Sequence, residues 1–155
     1  MADACLERLE PSWLVGGILD EPAHLATAVL VLANLPATGP AWRAGYAVGA
    51  VAVDADHLPL VPIRHTLRKE TPRPPAHTLF VPVALALAAR LTRAHAREIL
   101  LGAAAGTCIH FLRDLGTGTG LVPVQPLVRW RTKAPSKAYE LAMALLTARA
   151  WRLPR

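Results

Sequence analysis

The residues best suited to chemistry in this chain are histidines and aspartates at the edges of apolar segments. Imidazole and carboxylate groups are common ligands of divalent metal ions such as zinc. One group, Asp54, Asp56 and His57, directly follows the small apolar residues of a predicted helix. A carboxylate near buried structure is costly unless it is paired or binds a metal. A metal site is therefore one interpretation, and a solvated helix end with aspartates as turn formers is the other.

A second group consists of His110 and Asp114, which are four residues apart in a predicted helix. This spacing puts both side chains on one helix face, with Cβ atoms roughly 6 Å apart, near enough to hold one ion or two neighbouring ions. A buried histidine that is hydrogen-bonded to Asp114 is the equal alternative. His24 and His77 each open an apolar segment, and each, taken singly, is better explained as a polar residue at a helix end.

These residues are hard to explain as independent accidents, because together they place four histidines and three aspartates at predicted helix ends of one apolar 155-residue chain. We therefore predict a divalent metal cluster. Its predicted ligands are His24, Asp54, Asp56, His57, His77, His110 and Asp114. Arg73, near His77, could clamp a phosphate group through two guanidinium nitrogens, although an isolated arginine in a loop is usually solvated.

Helices must position these side chains, because proline and glycine divide the chain into short apolar segments with helical periodicity. The first predicted helix starts after Glu21-Pro22, where proline suits the first turn. The predicted helices cover about residues 23–35, 41–53, 77–91, 98–115 and 136–151. Residues 58–75 are rich in proline and are predicted to form a loop. The sequence thus predicts one domain over residues 1–155, folded as a compact all-α bundle.

The composition leaves a soluble protein and a membrane-embedded protein equally open. The hydrophobic fraction is 53% and the mean hydropathy is +0.31, both high for a soluble protein. Each apolar run is nevertheless ten to fifteen residues long, whereas a membrane span needs about 20. Short apolar helices can be embedded in lipid when their ionisable groups face the bundle interior. Because the N-terminus does not resemble a secretory signal, we expect the site to face the cytoplasm.

The charge of the chain favours an anionic partner. There are 17 lysines and arginines against 11 acidic residues, and many of the basic residues lie in residues 64–73 and 129–137. The stacking aromatics typical of single-strand RNA binders are absent from the sequence, so a phospholipid surface is favoured over nucleic acid. The two cysteines, Cys5 and Cys108, are too far apart for a cysteine zinc motif and do not indicate a disulfide framework.

Four segments in order, PAHLATA, VDADHLPL, TPRPPAHTL and IHFLRDLGTGTGLVPVQP, resemble the bacterial LexA-binding, inner-membrane-associated metal-dependent hydrolase family over about residues 22–127. The matched positions are His24, Asp54, Asp56, His57, Arg73, His77, His110, Asp114, Thr117 and Gly120. The last motif is the most specific, because its spacing holds over more than a dozen residues. The chain departs from the family pattern at Ala23, Val53, Pro72, Ala76 and Thr78. Pro72 replaces a histidine, which leaves one potential ligand or proton carrier fewer, or a loop that the prolines reposition.

The resemblance implies a helical protein of the bacterial inner membrane with a metal cluster, zinc being the expected ion. It also implies hydrolysis of a small phosphoester or a phospholipid. The family is remotely similar to the all-helical zinc-dependent phospholipase C and P1 nuclease group, an analogy of fold. In the predicted mechanism, Asp54 or Asp56 accepts a proton from a water that the metal acidifies, and Arg73 offsets developing negative charge.

Two alternatives to an enzyme stay open. One is a non-catalytic membrane protein whose metal site is structural and which binds a regulatory protein, as the family's name indicates for a LexA-type repressor. The other is a basic helical accessory protein without metal. A site with an open ligand position would favour the enzyme, and a closed site would favour a structural metal.

Overall fold

Five α-helices and no strand form the part of the chain that the computed structural model describes, residues 13–56, 76–117 and 134–152, with side chains from residue 20 onward in the first segment. The helices are α1 (Trp13–Leu32), α2 (Pro40–Val51), α3 (Phe80–Arg90), α4 (Ala94–Gly116) and α5 (Ser136–Arg152). The helices pack against one another in one bundle, with α2 and α3 lying mainly on α4. The predicted all-α fold class is confirmed.

Helix α1 begins at Trp13, ten residues before the predicted start, so the prediction that it starts after Pro22 is wrong. Pro22 lies inside the helix, where it removes the hydrogen bond that its missing N–H would have donated and places its ring near the carbonyl one turn earlier. The apolar residues on both sides and the packing of α1 against α2 and α4 maintain the helix through this position. As a consequence, Asp20 and Glu21 are helical and lie one turn before His24.

The other helices lie close to their predicted positions. Helix α3 begins three residues later than predicted, with Pro82 in its first turn. The fourth predicted helix begins four residues earlier than predicted, because the charged segment before it is the opening of α4. Helix α5 covers the predicted segment and one further residue.

Helices α2 and α4 pack with their backbones in direct contact. Each contributes two glycines four residues apart at this contact: Gly45 and Gly49 on α2, and Gly102 and Gly106 on α4. A Cβ atom added to Gly106 would lie 2.0 Å from the carbonyl oxygen of Tyr46, and one added to Gly49 would lie 2.1 Å from that of Ala103. Small residues at this spacing allow two helices to approach this closely. The glycines of α2 thus allow the close packing of the two helices.

The buried core beside this contact is small and includes one hydrogen-bonded phenol. Tyr46 packs with Ala28 and Ala50, and its hydroxyl donates a hydrogen bond to the Ala28 carbonyl at 3.1 Å. A second apolar cluster, Val53 with Phe111, lies nearer the ends of α2 and α4. Because side chains from α1, α2 and α4 share these clusters, the three helices hold one another in register.

Helix α4 is the one helix among the described residues that is long and apolar enough to cross a membrane, with a mean hydropathy of 1.2. The expectation that every apolar run is too short is therefore wrong for α4, because its charged opening is helical too. Half of its apolar stretch is buried inside the bundle, as in the core helix of a soluble protein. Length and composition alone thus leave contact with lipid a prediction.

Candidate metal centre

Imidazole and carboxylate side chains converge where α1 and α4 meet the end of α2 and the turn before α3. The converging residues are Asp20, His24, Asp54, His77, His110 and Asp114. They form three overlapping sets of three, and within each set all ligand atoms lie within 4.8 Å of one another. The sets are His24, His110 and Asp114; Asp54, His77 and His110; and Asp20, His24 and Asp54. Buried groups of these types could hold a metal ion.

Two helices supply four of these side chains through the same spacing. Asp20 and His24 are four residues apart on α1, and His110 and Asp114 are four residues apart on α4, so each pair lies on one helix face. The two faces meet at the histidines, whose rings are stacked with centroids 3.8 Å apart and planes 11° apart. Asp114 lies 3.8 Å from His24 and 3.7 Å from His110, measured from oxygen to Nε2. The predicted juxtaposition of His110 and Asp114 on one face is therefore present.

The turn after α2 and the turn before α3 supply Asp54 and His77. The Nε2 atom of His77 lies 2.9 Å from Oδ1 of Asp54. On the other side of the ring, Nδ1 of His77 lies 3.4 Å from Oδ2 of Asp56, which also accepts a hydrogen bond from the Ala76 amide at 3.0 Å. Asp56 thus orients His77 from behind and belongs to none of the three sets, although the sequence prediction placed it among the ligands. A carboxylate behind a histidine is a common support for a metal ligand.

The hydrogen bonds of His110 fix which of its ring nitrogens faces the cluster. Nδ1 donates to the carbonyl oxygen of Ala50 at 2.9 Å, so in the neutral ring Nε2 carries the lone pair. That Nε2 is buried, has no hydrogen-bond partner among the described residues, and lies 3.7 Å from oxygens of both Asp54 and Asp114. A lone pair facing two carboxylates is repulsive unless a cation lies between them. This arrangement fits a metal ligand.

His24 gives the same indication more strongly. Its side chain is fully buried, and neither ring nitrogen has a hydrogen-bond partner in the described part of the chain. A buried polar group without a partner costs about 1–3 kcal/mol. Its Nε2 faces three carboxylates at 3.5 to 4.0 Å, those of Asp20, Asp54 and Asp114. A bound cation would satisfy this nitrogen and the oxygens around it.

The cluster contains more acidic groups than basic ones. Arg113 on α4 is only 3% exposed and forms an ion pair with Oδ1 of Asp20 on α1. Burial, with the negative charge of the hydrogen-bonded Asp54 carboxyl, raises the pKa of Glu21 to about 7. Burial alone would raise the pKa of Asp54, but the hydrogen bond with His77 and the nearby histidine rings hold it well below its usual range. A cluster that keeps Asp54 ionised and Glu21 partly protonated favours a cation.

Sequence reasoning missed three residues of this site: Asp20, Glu21 and Arg113. Asp20 and Glu21 were missed because the helix was predicted to start after them. A usable signal was present, since Asp20 and His24 repeat in reverse order the spacing of His110 and Asp114. Arg113 gives no comparable signal, because an arginine near a helix end is usually exposed.

Two predicted site residues, His57 and Arg73, lie outside the described residues, as do Pro72 and Gly120. Their predicted roles stay predictions. Thr117, the remaining position of the last motif, donates a hydrogen bond from Oγ1 to the carbonyl of Arg113 at 3.0 Å and thus closes α4. Six of the seven predicted ligands lie together at one place, five of them inside the three sets and Asp56 behind His77.

Comparison with known proteins adds no family assignment. The chain matches no protein-family model, no curated protein and no solved structure.

Proposed function

We propose that this protein is a membrane-associated, metal-dependent hydrolase that cleaves phosphoesters at the His/Asp cluster. The observation that carries the proposal is the set of buried, unpartnered imidazole nitrogens of His24 and His110 that face carboxylates. The cluster fits a divalent ion, because its ligand types are those that zinc accepts and its acidic groups outnumber its cations.

The residues that would hold the ion are His24, His77, His110, Asp54 and Asp114, with Asp20 at the edge of the cluster. A bound divalent ion such as zinc would supply two effects, a lower pKa for a water molecule and polarisation of a phosphoryl oxygen. Asp56 would orient the ring of His77 and the carbonyl of Ala50 that of His110, because each oxygen accepts a hydrogen bond from the Nδ1 atom of its histidine.

Of the two predicted proton acceptors, Asp54 is the better placed. Its side chain is 22% exposed, whereas that of Asp114 is 5% exposed, so Asp54 lies on the solvent side of the cluster. Glu21, whose pKa is raised to about 7 by burial and by the neighbouring Asp54 carboxylate, lies beside it. Asp56 is less suited, because its Oδ2 atom already accepts bonds from Ala76 and His77.

The outer surface supports the membrane part of the proposal. Large apolar side chains are exposed along one face of α3, at Phe80, Val83, Leu87 and Leu91, and Leu91 is 89% exposed. Exposed arginines lie next to the end of this face, at Arg90, Arg93 and Arg97. An apolar face beside basic residues suits an anionic phospholipid surface, which fits the formal charge of +6. We propose location at the inner membrane, with a phospholipid or a small phosphoester as the substrate.

One observation favours a second candidate, a non-catalytic membrane protein with a structural metal that binds a regulatory protein. The three histidines and Asp114 are almost fully buried, as in closed metal sites. Against this, Asp20 and Asp54 keep 40% and 22% of their side-chain surface exposed, which leaves one side of the cluster accessible. The accessible side favours the enzyme.

Elemental analysis and a hydrolysis panel on the full chain test both candidates. The purified protein is expected to contain zinc or a related ion, and His110→Ala and Asp114→Ala are expected to lose it. His95→Ala is a matched control, since His95 is exposed on the same helix. The metal-loaded protein is expected to cleave phosphodiester or phosphomonoester substrates, presented both in solution and in phospholipid vesicles.

The outcomes separate the candidates clearly. Bound metal without hydrolysis of any substrate in the panel would reject the enzyme and favour the structural site. A wild-type protein that binds no divalent metal would reject both candidates.

A further inference from the structure

We infer that the cluster holds two divalent ions side by side and that Asp20, which lies outside the predicted ligand set, is a ligand of the second ion. This inference rests on the proposed metal-dependent function and deepens it. The two carboxylates that could be shared, those of Asp54 and Asp114, show which histidines belong to which ion.

Asp54 and Asp114 each direct their two oxygens to different histidines. Oδ1 of Asp54 faces His77 at 2.9 Å and His110 at 3.7 Å, whereas Oδ2 faces His24 at 4.0 Å. Oδ2 of Asp114 faces His110 at 3.7 Å and His77 at 4.0 Å, whereas Oδ1 faces His24 at 3.8 Å. Both carboxylates therefore lie between two separate groups of nitrogen ligands, as bridging carboxylates do.

The first position is formed by the Nε2 atoms of His77 and His110 with Oδ1 of Asp54 and Oδ2 of Asp114. Zinc–ligand bonds of about 2.0–2.1 Å place the ligand atoms of a tetrahedral ion about 3.3 Å apart. The distances of 2.9 to 4.0 Å at this position require only small side-chain shifts around an ion.

The second position is formed by Nε2 of His24 with Oδ2 of Asp20, Oδ2 of Asp54 and Oδ1 of Asp114, at 3.5, 4.0 and 3.8 Å from the nitrogen. His24 is fully buried and its Nε2 has no hydrogen-bond partner among the described residues, so this nitrogen is itself unsatisfied without a ligand. That observation is independent of the carboxylates around it.

A single ion explains the arrangement less well. Six ligand atoms around one ion, with bonds of about 2.1 Å, would all lie within about 4.2 Å of one another. The sets whose atoms lie within 4.8 Å of one another contain three residues each, and they differ in which histidines they include. Each neutral imidazole offers one lone pair to one ion. His24 and His77 share none of the three sets, so these two histidines belong to different ions.

Arg113 orients the Asp20 carboxylate at the second position. Its guanidinium binds Oδ1 of Asp20, which turns Oδ2 of that carboxylate towards His24. Arg113 is buried on α4, so it ties the carboxylate of α1 to the helix that carries His110 and Asp114. We assign Arg113 as a positioning residue for the second ion.

The test is the number of zinc ions bound by the full chain, measured by elemental analysis after equilibration with zinc and removal of the excess. The wild type is expected to hold two ions per chain. Asp20→Asn and His24→Gln are each expected to hold one, and His77→Gln is expected to retain one at the second position. His24→Gln covers the possibility that Asp20→Asn unfolds the chain, because the ring nitrogens of His24 have no hydrogen-bond partner in the described part of the chain. Glu140→Gln, an exposed carboxylate on α5, is expected to keep two.

Manganese provides a second readout, since two neighbouring Mn²⁺ ions give an exchange-coupled electron paramagnetic resonance spectrum and one ion does not. The wild type is expected to show the coupled spectrum, and Asp20→Asn and His24→Gln are expected to show an uncoupled one. A wild type with one ion that still hydrolyses phosphoesters would overturn the two-ion inference and leave the proposed function standing. Loss of all metal in a folded His24→Gln would also overturn it, and a metal-free wild type would overturn both.

Discussion

Replacing Gly106 by alanine tests whether the contact between α2 and α4 positions the metal centre. The added Cβ would lie 2.0 Å from the carbonyl oxygen of Tyr46, and contacts of a Cβ atom below 3.0 Å are essentially never found. The atom that it meets belongs to the backbone, so rotation of a side chain cannot relieve the overlap. Helix α2 must instead move away from α4 by about 1 Å.

Two opposing effects determine how much Gly106→Ala changes the free energy of unfolding. Alanine in a helix interior is favoured over glycine by about 1 kcal/mol. Overpacking costs about 1–3 kcal/mol, and a contact between two backbones belongs at the upper end of that range. The net expectation is a loss of about 2 kcal/mol in the free energy of unfolding, which for a chain of this size lowers the midpoint temperature by about 6 °C.

The movement of α2 away from α4 should also disturb the candidate metal centre. The carbonyls of Gly49 and Ala50 on α2 accept hydrogen bonds from Thr107 and His110 on α4, at 3.3 and 2.9 Å. A shift of about 1 Å would weaken the bond that orients His110, so zinc affinity is expected to fall by about 10- to 100-fold. Thermal unfolding followed by circular dichroism, together with equilibrium dialysis against zinc, measures both effects.

Gly39→Ala is the control, because a Cβ at Gly39 meets only the flexible end of the Glu98 side chain. Gly39 precedes α2 with extended backbone, and alanine at such a helix N-cap costs at most about 1 kcal/mol. Zinc affinity should be unchanged in this control. If Gly106→Ala proved as stable as the wild type and bound zinc equally well, the reasoning that close packing of α2 and α4 holds the site would be refuted.

Three further predictions concern the surroundings of the ions. Asp56→Asn is expected to weaken zinc binding by about 10- to 100-fold, because the carboxylate orients His77; equal affinity in dialysis would contradict this support. Arg113→Met is expected to lower the free energy of unfolding by about 2 kcal/mol, because a charged hydrogen bond is lost, and Asp20→Asn in the same chain should recover part of this loss. Denaturant titration of the two single variants and the double variant measures the coupling between Arg113 and Asp20. Strictly additive effects of the two substitutions would contradict this coupling. Removal of metal with a chelator is expected to lower the midpoint temperature by about 8 °C for each ion lost, because each ion present at 100 times its dissociation constant contributes about 2.7 kcal/mol. A melting curve unaffected by chelator and by added zinc would contradict metal binding.

Local periodicity made most of the fold predictable. Helix α5 and the C-terminal end of α4 follow from apolar spacing and from the prolines and glycines around them, which act within a few residues. The start of α1 could not be predicted in this way, because Pro22 is typical of a first turn and yet lies in the helix interior. Burial of α1 against two other helices outweighs a local preference there.

Site residues that lie close together in the sequence were easier to predict than those that lie far apart. His110 and Asp114 follow from helical spacing alone. Asp54 and His77 lie 23 residues apart on either side of a proline-rich segment, so no periodicity joins them. They were placed in one site by their residue types at predicted helix ends and by the family resemblance. Arg113 was missed because its burial depends on an ion pair with a residue 93 positions away.

The close packing of α2 and α4 and the metal centre are parts of one arrangement. Glycine at the contact lets the α2 backbone reach α4, and this places the carbonyl of Ala50 where it accepts a bond from His110. The turn that follows α2 then places Asp54 3.7 Å from the other nitrogen of the same ring. A larger residue at Gly49 or Gly106 would separate the helices and thereby separate His110 from Asp54. The glycine pairs, which in an apolar chain could be explained by helix packing alone, are therefore also required for the histidines and carboxylates to lie together.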